Sequence, residues 1–153
     1  LLKGDISYLD YRTKFLENAK LSDLYGPVFD RECVAMFEIA YSYTEEMINK
    51  LAESFKLYLL SDHVVEWTPQ IMTQHKFFDK FEDCMWSYEI GATKKTTVPF
   101  EAILEKFKLS PEKCLFVDDN AENIINATLL GFNCLHFRGE ESVDKIYRAI
   151  EKG

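Results

Sequence analysis

The spacing of apolar positions changes character partway along the chain. After Ser7, the residues Tyr8, Tyr11, Phe15 and Ala19 recur near helical spacing, which predicts a helix capped by Ser7 and running to about Ala19. Asp10 stands third after that cap, a weaker relative of the capping box. Gly26-Pro27 predicts a break, and a second apolar-rich helix is expected from about Asp30 to Ile39. Thr44 then caps a third helix to about Ser54, with Glu45 and Glu46 well placed in its first turn. Beyond it the pattern becomes strand-like: Phe55 to Leu60 is an apolar-rich run ending in Ser61-Asp62-His63. A helical stretch interrupted at Thr68-Pro69 follows, then a short second strand at Cys84 to Ser87. Pro99 suits the first turn of a helix to about Phe107. Cys114 to Val117 reads as a third strand, Ala121 to Leu130 as a helix stopped by Gly131, and Asn133 to Phe137 as a fourth strand. A last helix is expected from about Glu140 to Glu151. Strands alternating with helices predict an α/β fold with a parallel sheet, preceded by roughly 40 purely helical residues.

Composition narrows the field. With 153 residues, 47% hydrophobic and 14% aromatic, the chain can bury the core of one folded domain. A net charge of -8 argues against a nucleic-acid groove or an anionic membrane surface as partner. No apolar run reaches the length of a membrane span, and Leu1-Leu2-Lys3-Gly4-Asp5 is not a signal peptide. The chain opens on Leu1 rather than Met, so a longer gene product is expected. Cys33, Cys84, Cys114 and Cys134 form no CxxC pair. They read as small packing residues of a cytoplasmic protein rather than as a zinc site or disulfide framework.

The chemistry concentrates at strand ends. The run Cys114-Leu115-Phe116-Val117 stops abruptly in Asp118-Asp119. Ligands of open α/β sheets sit outside the carboxyl ends of the strands, and paired acids there hold a hard cation through oxygen. The competing reading makes the same pair a helix N-cap. Ser61 follows the first strand, Lys94 and Lys95 sit in the loop after Gly91, and Asn123 lies one helical turn beyond Asp119. A hydroxyl, an ammonium and two carboxylates suit phosphoryl chemistry with magnesium. His63, His75 and His136 stand isolated and are read as surface or packing residues; Trp67 and Trp86 are read as aromatics of the core or of its interface with a helical cap.

The order of these motifs resembles the haloacid dehalogenase (HAD) superfamily. Leu59-Leu60-Ser61-Asp62-His63, Ser87-Tyr88-Glu89-Ile90-Gly91-Ala92-Thr93-Lys94 and Phe116-Val117-Asp118-Asp119-Asn120-Ala121-Glu122-Asn123 look like its second, third and fourth motifs. Ala127-Thr128-Leu129-Leu130-Gly131-Phe132 matches its helix-Gly-strand passage, and Gly4-Asp5-Ile6-Ser7 resembles the entry to its small helical cap. The resemblance implies a partial cap over residues 1–41 and a Rossmann-like core over 42–153 that lacks its first strand. It also implies roles: Ser61 with Asp62 and Lys94 at the phosphate, and Asp118, Asp119 and Asn123 at Mg2+. Two positions depart from the family's usual wording: Asp62 where relatives often have Asn, and Lys95 where Pro is common. Either Lys94 or Lys95 can be the functional lysine, with the Gly91 spacing favouring Lys94.

The family's nucleophile is an Asp in a DxD pattern at the end of its first strand, and no DxD occurs in this chain. The expectation is therefore an upstream segment, or a strand from another chain, that completes the sheet and supplies the Asp. The implied parent activity is magnesium-dependent hydrolysis of a small phosphate ester through an aspartyl-phosphate. A dehalogenase fits less well, because carbon–halogen displacement needs no metal. The alternative from another class is a catalytically inactive HAD-like interaction or regulatory protein whose aromatic cap surface binds a partner; the tyrosines and phenylalanines of residues 8–43 are themselves read as packing the cap helices together, with a substrate pocket under the cap as the other reading.

Overall fold

Helix α1 (Tyr8–Asn18) starts where the sequence places it, because the Ser7 hydroxyl accepts the Asp10 N–H at 3.1 Å and donates to the Asp10 carboxylate at 2.7 Å. The computed structural model describes residues 1–37 and 41–151. The second helix, α2 (Gly26–Ala35), begins at Gly26-Pro27 rather than beyond it. Pro27 breaks nothing there: its missing N–H falls in the first turn, where helical N–H groups have no partner. The predicted end of that helix at Ile39 lies outside the described residues. α3 (Ser42–Ala52) begins two residues ahead of Thr44, with Tyr41 as its cap.

The strand-like run narrows to β1 (Tyr58–Ser61). α4 (Thr68–Gln74) opens on Thr68-Pro69, so this proline too initiates a helix where the sequence suggested an interruption. β2 (Asp83–Trp86) leads into the short α5 (Ser87–Ile90), which Gly91 ends at φ 74°. α6 (Val98–Phe107), β3 (Leu115–Asp118), α7 (Ala121–Leu129), β4 (Asn133–His136) and α8 (Val143–Ile150) complete the order. The chain is thus an α/β protein with parallel strands, as its alternating pattern predicts. None of the described helices is long and apolar enough to cross a membrane.

The described strands form two parallel pairs. In β1–β2, Leu59 pairs with Cys84 and Ser61 with Trp86; in β3–β4, Phe116 pairs with Cys134 and Asp118 with His136. Each register brings the carboxyl ends of two strands level with one another. The chain divides into two compact units, Leu1–Gly91 and Ala92–Gly153.

Leu16, Ile48, Leu60, Val64, Ile71, Met85 and Trp86 form the buried core of the first unit. His63 is set among aromatic rings, with centroids 4.8 Å from Phe37, 6.1 Å from Trp67 and 5.9 Å from Trp86. The second unit is built around Phe100, which is fully buried, with Ile103, Ala127 and Ile146. Phe100, Phe116 and Phe132 meet edge to face at 5.1, 6.1 and 6.2 Å, which locks α6, β3 and the turn before β4 to one another. All four cysteines are half-buried and unlinked, so they do pack, but less deeply than their apolar surroundings suggest.

Candidate functional site

Strand β3 delivers Asp118 to the end of the sheet, where its carbonyl accepts the Phe137 N–H at 2.8 Å. The side chain is 6% exposed, a costly place for a charge unless its oxygens are matched. They are matched three ways. Oδ1 accepts the Asn120 backbone N–H at 2.8 Å and the Asn123 Nδ2 at 2.9 Å; Oδ2 accepts the Lys94 ammonium at 2.7 Å. Bonds of this kind to an ionised group are the strong class of protein hydrogen bond.

The residues around Asp118 divide the work of holding it. Asn120 is the N-cap of α7, its side chain accepting the Glu122 N–H at 2.8 Å. Neither Asp118 nor Asp119 is the cap, so the bland reading of that pair gives way: Asp118 closes the turn into the helix instead of starting it. Asn123 is buried on the inner face of α7. Asp119 is exposed, and its carbonyl accepts from the His136 Nε2 at 2.8 Å. A carbonyl only accepts, so that ring nitrogen carries the proton. The sequence read His136 as isolated; the strand register brings it here.

Of the two lysines, Lys94 reaches Asp118 and Lys95 is exposed. The Lys94 carbonyl is held in turn by the Asn126 amide at 2.9 Å, a contact the sequence did not suggest. Its one signal was spacing: Asn126 lies three residues after Asn123, on the same helical face.

Lys94, Asp118 and Asn123 thus meet in the second unit, with Asp119 adjoining them in sequence. Ser61 and Asp62 stand at the end of β1 in the first unit, both half-buried. Their loop is fixed locally: the His63 N–H donates to the Ser87 hydroxyl at 3.1 Å, and the His63 Nδ1 accepts the Val64 N–H at 2.9 Å. Burial pushes the His63 imidazole below its ordinary range, so the neutral ring with its proton on Nε2 is favoured.

Among the described residues, no three His, Cys, Asp or Glu side chains converge to hold a metal. That leaves no cage for zinc, but magnesium takes one or two carboxylates and completes its shell with water and phosphate oxygens. The hard oxygens of Asp118 and the neighbouring exposed Asp119 fit that requirement.

Comparison with known proteins adds four likenesses. A family model described as haloacid dehalogenase-like hydrolase matches residues 2–129. A D-ribitol-5-phosphate phosphatase of Bacteroides thetaiotaomicron is 31% identical over 100 residues, which cover 61% of this chain and 48% of the relative. The chain therefore spans about half the length of that curated relative. Among solved structures, a HAD family enzyme of Bacteroides thetaiotaomicron superposes with a TM-score of 0.79 at 23% identity, covering 96% of this chain and 75% of that one. That enzyme has also been crystallised with magnesium and inorganic phosphate. A HAD-like family hydrolase of Porphyromonas gingivalis gives 0.81 at 22% identity, covering 100% of this chain and 78% of its own. At these identities the two structures establish the fold.

Proposed function

The chain belongs to the haloacid dehalogenase-like hydrolase family, and from that premise we propose that the whole protein is a magnesium-dependent phosphatase acting on a small phosphate ester. The observation that carries the reading is the buried Lys94–Asp118 pair, held by Asn123 at the end of β3. A cation beside a carboxylate at a strand end is the arrangement that phosphoryl transfer needs, since the task is largely the neutralisation of charge. The phosphatase relative and the magnesium–phosphate complex of the structural neighbour support phosphate ester over carbon–halogen bond as the target.

In this reading Ser61 and Lys94 take the roles that the resemblance implies, a hydroxyl that donates to a phosphoryl oxygen and an ammonium that neutralises phosphoryl charge. Asp62 lies next in the chain, and its backbone helps to shape the phosphate loop. Asp118 and Asp119, with Asn123 near them, would hold the magnesium ion. When bound, the ion screens the phosphate charge from the attacking group. The nucleophile is an aspartate supplied by an upstream segment, or by a strand of another chain: its carboxylate takes the phosphoryl group as the ester P–O bond breaks and the alcohol leaves with a proton, and water then cleaves the aspartyl-phosphate to inorganic phosphate and the free carboxylate. Residues 1–41 are taken as a partial helical cap and residues 42–153 as the core. The half-buried, unlinked thiols fit a reducing compartment such as the cytoplasm.

The test is release of inorganic phosphate by the whole protein from a panel of pentitol and sugar phosphates, with magnesium and with chelator. Release that depends on magnesium is expected. Activity that survives chelation overturns the metal assignment. No release from any ester favours the non-catalytic interaction protein instead.

A further inference from the structure

The amide of Asn126 takes no part in the motifs that suggested the site, yet it is bonded to the main chain of the lysine at its centre. Its Nδ2 donates to the Lys94 carbonyl at 2.9 Å across 32 residues of sequence. Because the acceptor is a carbonyl, only the nitrogen of the amide can face it. One helical turn earlier, Asn123 donates to the Asp118 carboxylate. Both members of the Lys94–Asp118 pair are therefore anchored to a single helix, α7, one through its side chain and the other through its backbone. Between the anchors the helix rises about 4.5 Å, a distance that its own hydrogen bonds keep constant. Ala127, wholly buried on the same helix, fixes α7 against the core.

A lysine ammonium rides on a flexible four-carbon stem, so its position depends on where the stem begins. We infer that Asn126 is a positioning residue for Lys94: it fixes the root of the side chain so that the ammonium reaches Asp118 and, resting on the phosphatase reading above, the phosphoryl group. Asn126 itself touches neither. The bland alternative is a staple that merely ties the loop of residues 92–97 to the helix. Such a staple affects stability and acts on every ligand alike.

The two are separated by inorganic phosphate binding to the whole protein in saturating magnesium, measured by calorimetry. Asn126→Leu keeps the bulk and removes the donor. It is expected to weaken phosphate about tenfold, the worth of one net hydrogen bond. Magnesium binding without phosphate should change less than about twofold, because Asp118 keeps its own partners. In a Lys94→Ala background the same substitution should cost less than about twofold, since the group it acts through is gone. Equal losses in both backgrounds, a parallel loss of magnesium, or no loss at all overturns the assignment. If Asn126→Leu fails to fold, Asn126→Ser is judged by the same ratios. Wild-type protein that takes up no phosphate sinks the phosphatase reading and this assignment with it. Wild-type binding that the variants leave intact sinks the assignment alone.

Discussion

The Lys94 ammonium and the Asp118 carboxylate lie 2.7 Å apart, with side chains 13% and 6% exposed. The two partners are not equally able to survive alone. A widowed Lys94 can swing its long stem toward water, whereas Asp118 is fixed at the end of a strand. Lys94→Met should therefore cost about 3 kcal/mol, the usual result of leaving a buried charge uncompensated, and Asp118→Asn clearly less. Urea unfolding of both variants decides it, and equal losses would contradict the asymmetry.

Gly91 and Gly26 need their hydrogens for different reasons. Gly91 sits at φ 74° with open space where a Cβ would project, so only backbone strain opposes a side chain there. Gly91→Ala should cost about 1 kcal/mol and Gly91→Asn less, because asparagine tolerates the left-handed region. Gly26 is in ordinary helical backbone, but a Cβ would meet the Arg12 guanidinium carbon at 3.2 Å. That guanidinium is bonded to Asp30 at 2.6 Å. The penalty of Gly26→Ala should shrink in an Arg12→Ala background, whereas that of Gly91→Ala should not. Thermal melts of the single and double variants test this.

His63 gives stability a pH dependence of known sign. Its folded-state value is depressed by burial, so on acidification the unfolded chain takes up the proton first, from about pH 6.5 downward. In that window the unfolded state binds more protons, and stability falls as pH falls until the folded imidazole also titrates. His63→Phe should flatten the curve of unfolding free energy between about pH 7 and 5 relative to wild type. An unchanged slope would show that His63 titrates alike in the folded and the unfolded chain.

Cys84 should be a slow thiol. Burial, and then the nearby carboxylates of Asp83 and Glu89, push it up to about 11. At pH 8 its thiolate fraction, and hence its alkylation by iodoacetamide, should be roughly a hundredfold below that of the unfolded chain. Peptide mapping after timed alkylation reads this directly. Rapid modification in the native state would mean that the strand β2 opens locally.

The strands and most helices were legible because their signals are local. Apolar runs bounded by polar residues gave β1 to β4 to within a few residues, and Ser7 announced its own helix. The two misread prolines, Pro27 and Pro69, share one cause: a proline that breaks a helix and one that begins a helix look alike until the first turn is seen. Lys94, Asp118 and Asn123 were readable as a set because each sits in a recognisable motif. Their neighbours His136 and Asn126 were not. His136 reaches the Asp119 carbonyl only through the β3–β4 register, and Asn126 reaches Lys94 only once the loop folds back on α7. Contacts made through main-chain carbonyls leave no trace in residue type, because every residue carries one.

The aromatic triangle of Phe100, Phe116 and Phe132 has a bearing on when the charged cluster can exist. Phe116 lies two residues before Asp118 on the same strand, and Phe100 belongs to the helix that follows the Lys94 loop. Bringing these rings together therefore draws the two opposite charges toward one another from contiguous stretches of chain. Burial of the rings is non-directional and favourable by itself, and the ion pair sits at the end of the frame they hold. The Lys94–Asp118 pair closes a loop of 24 residues inside one compact unit, so the chain entropy lost in joining the partners is smaller than for a pairing across the whole sequence.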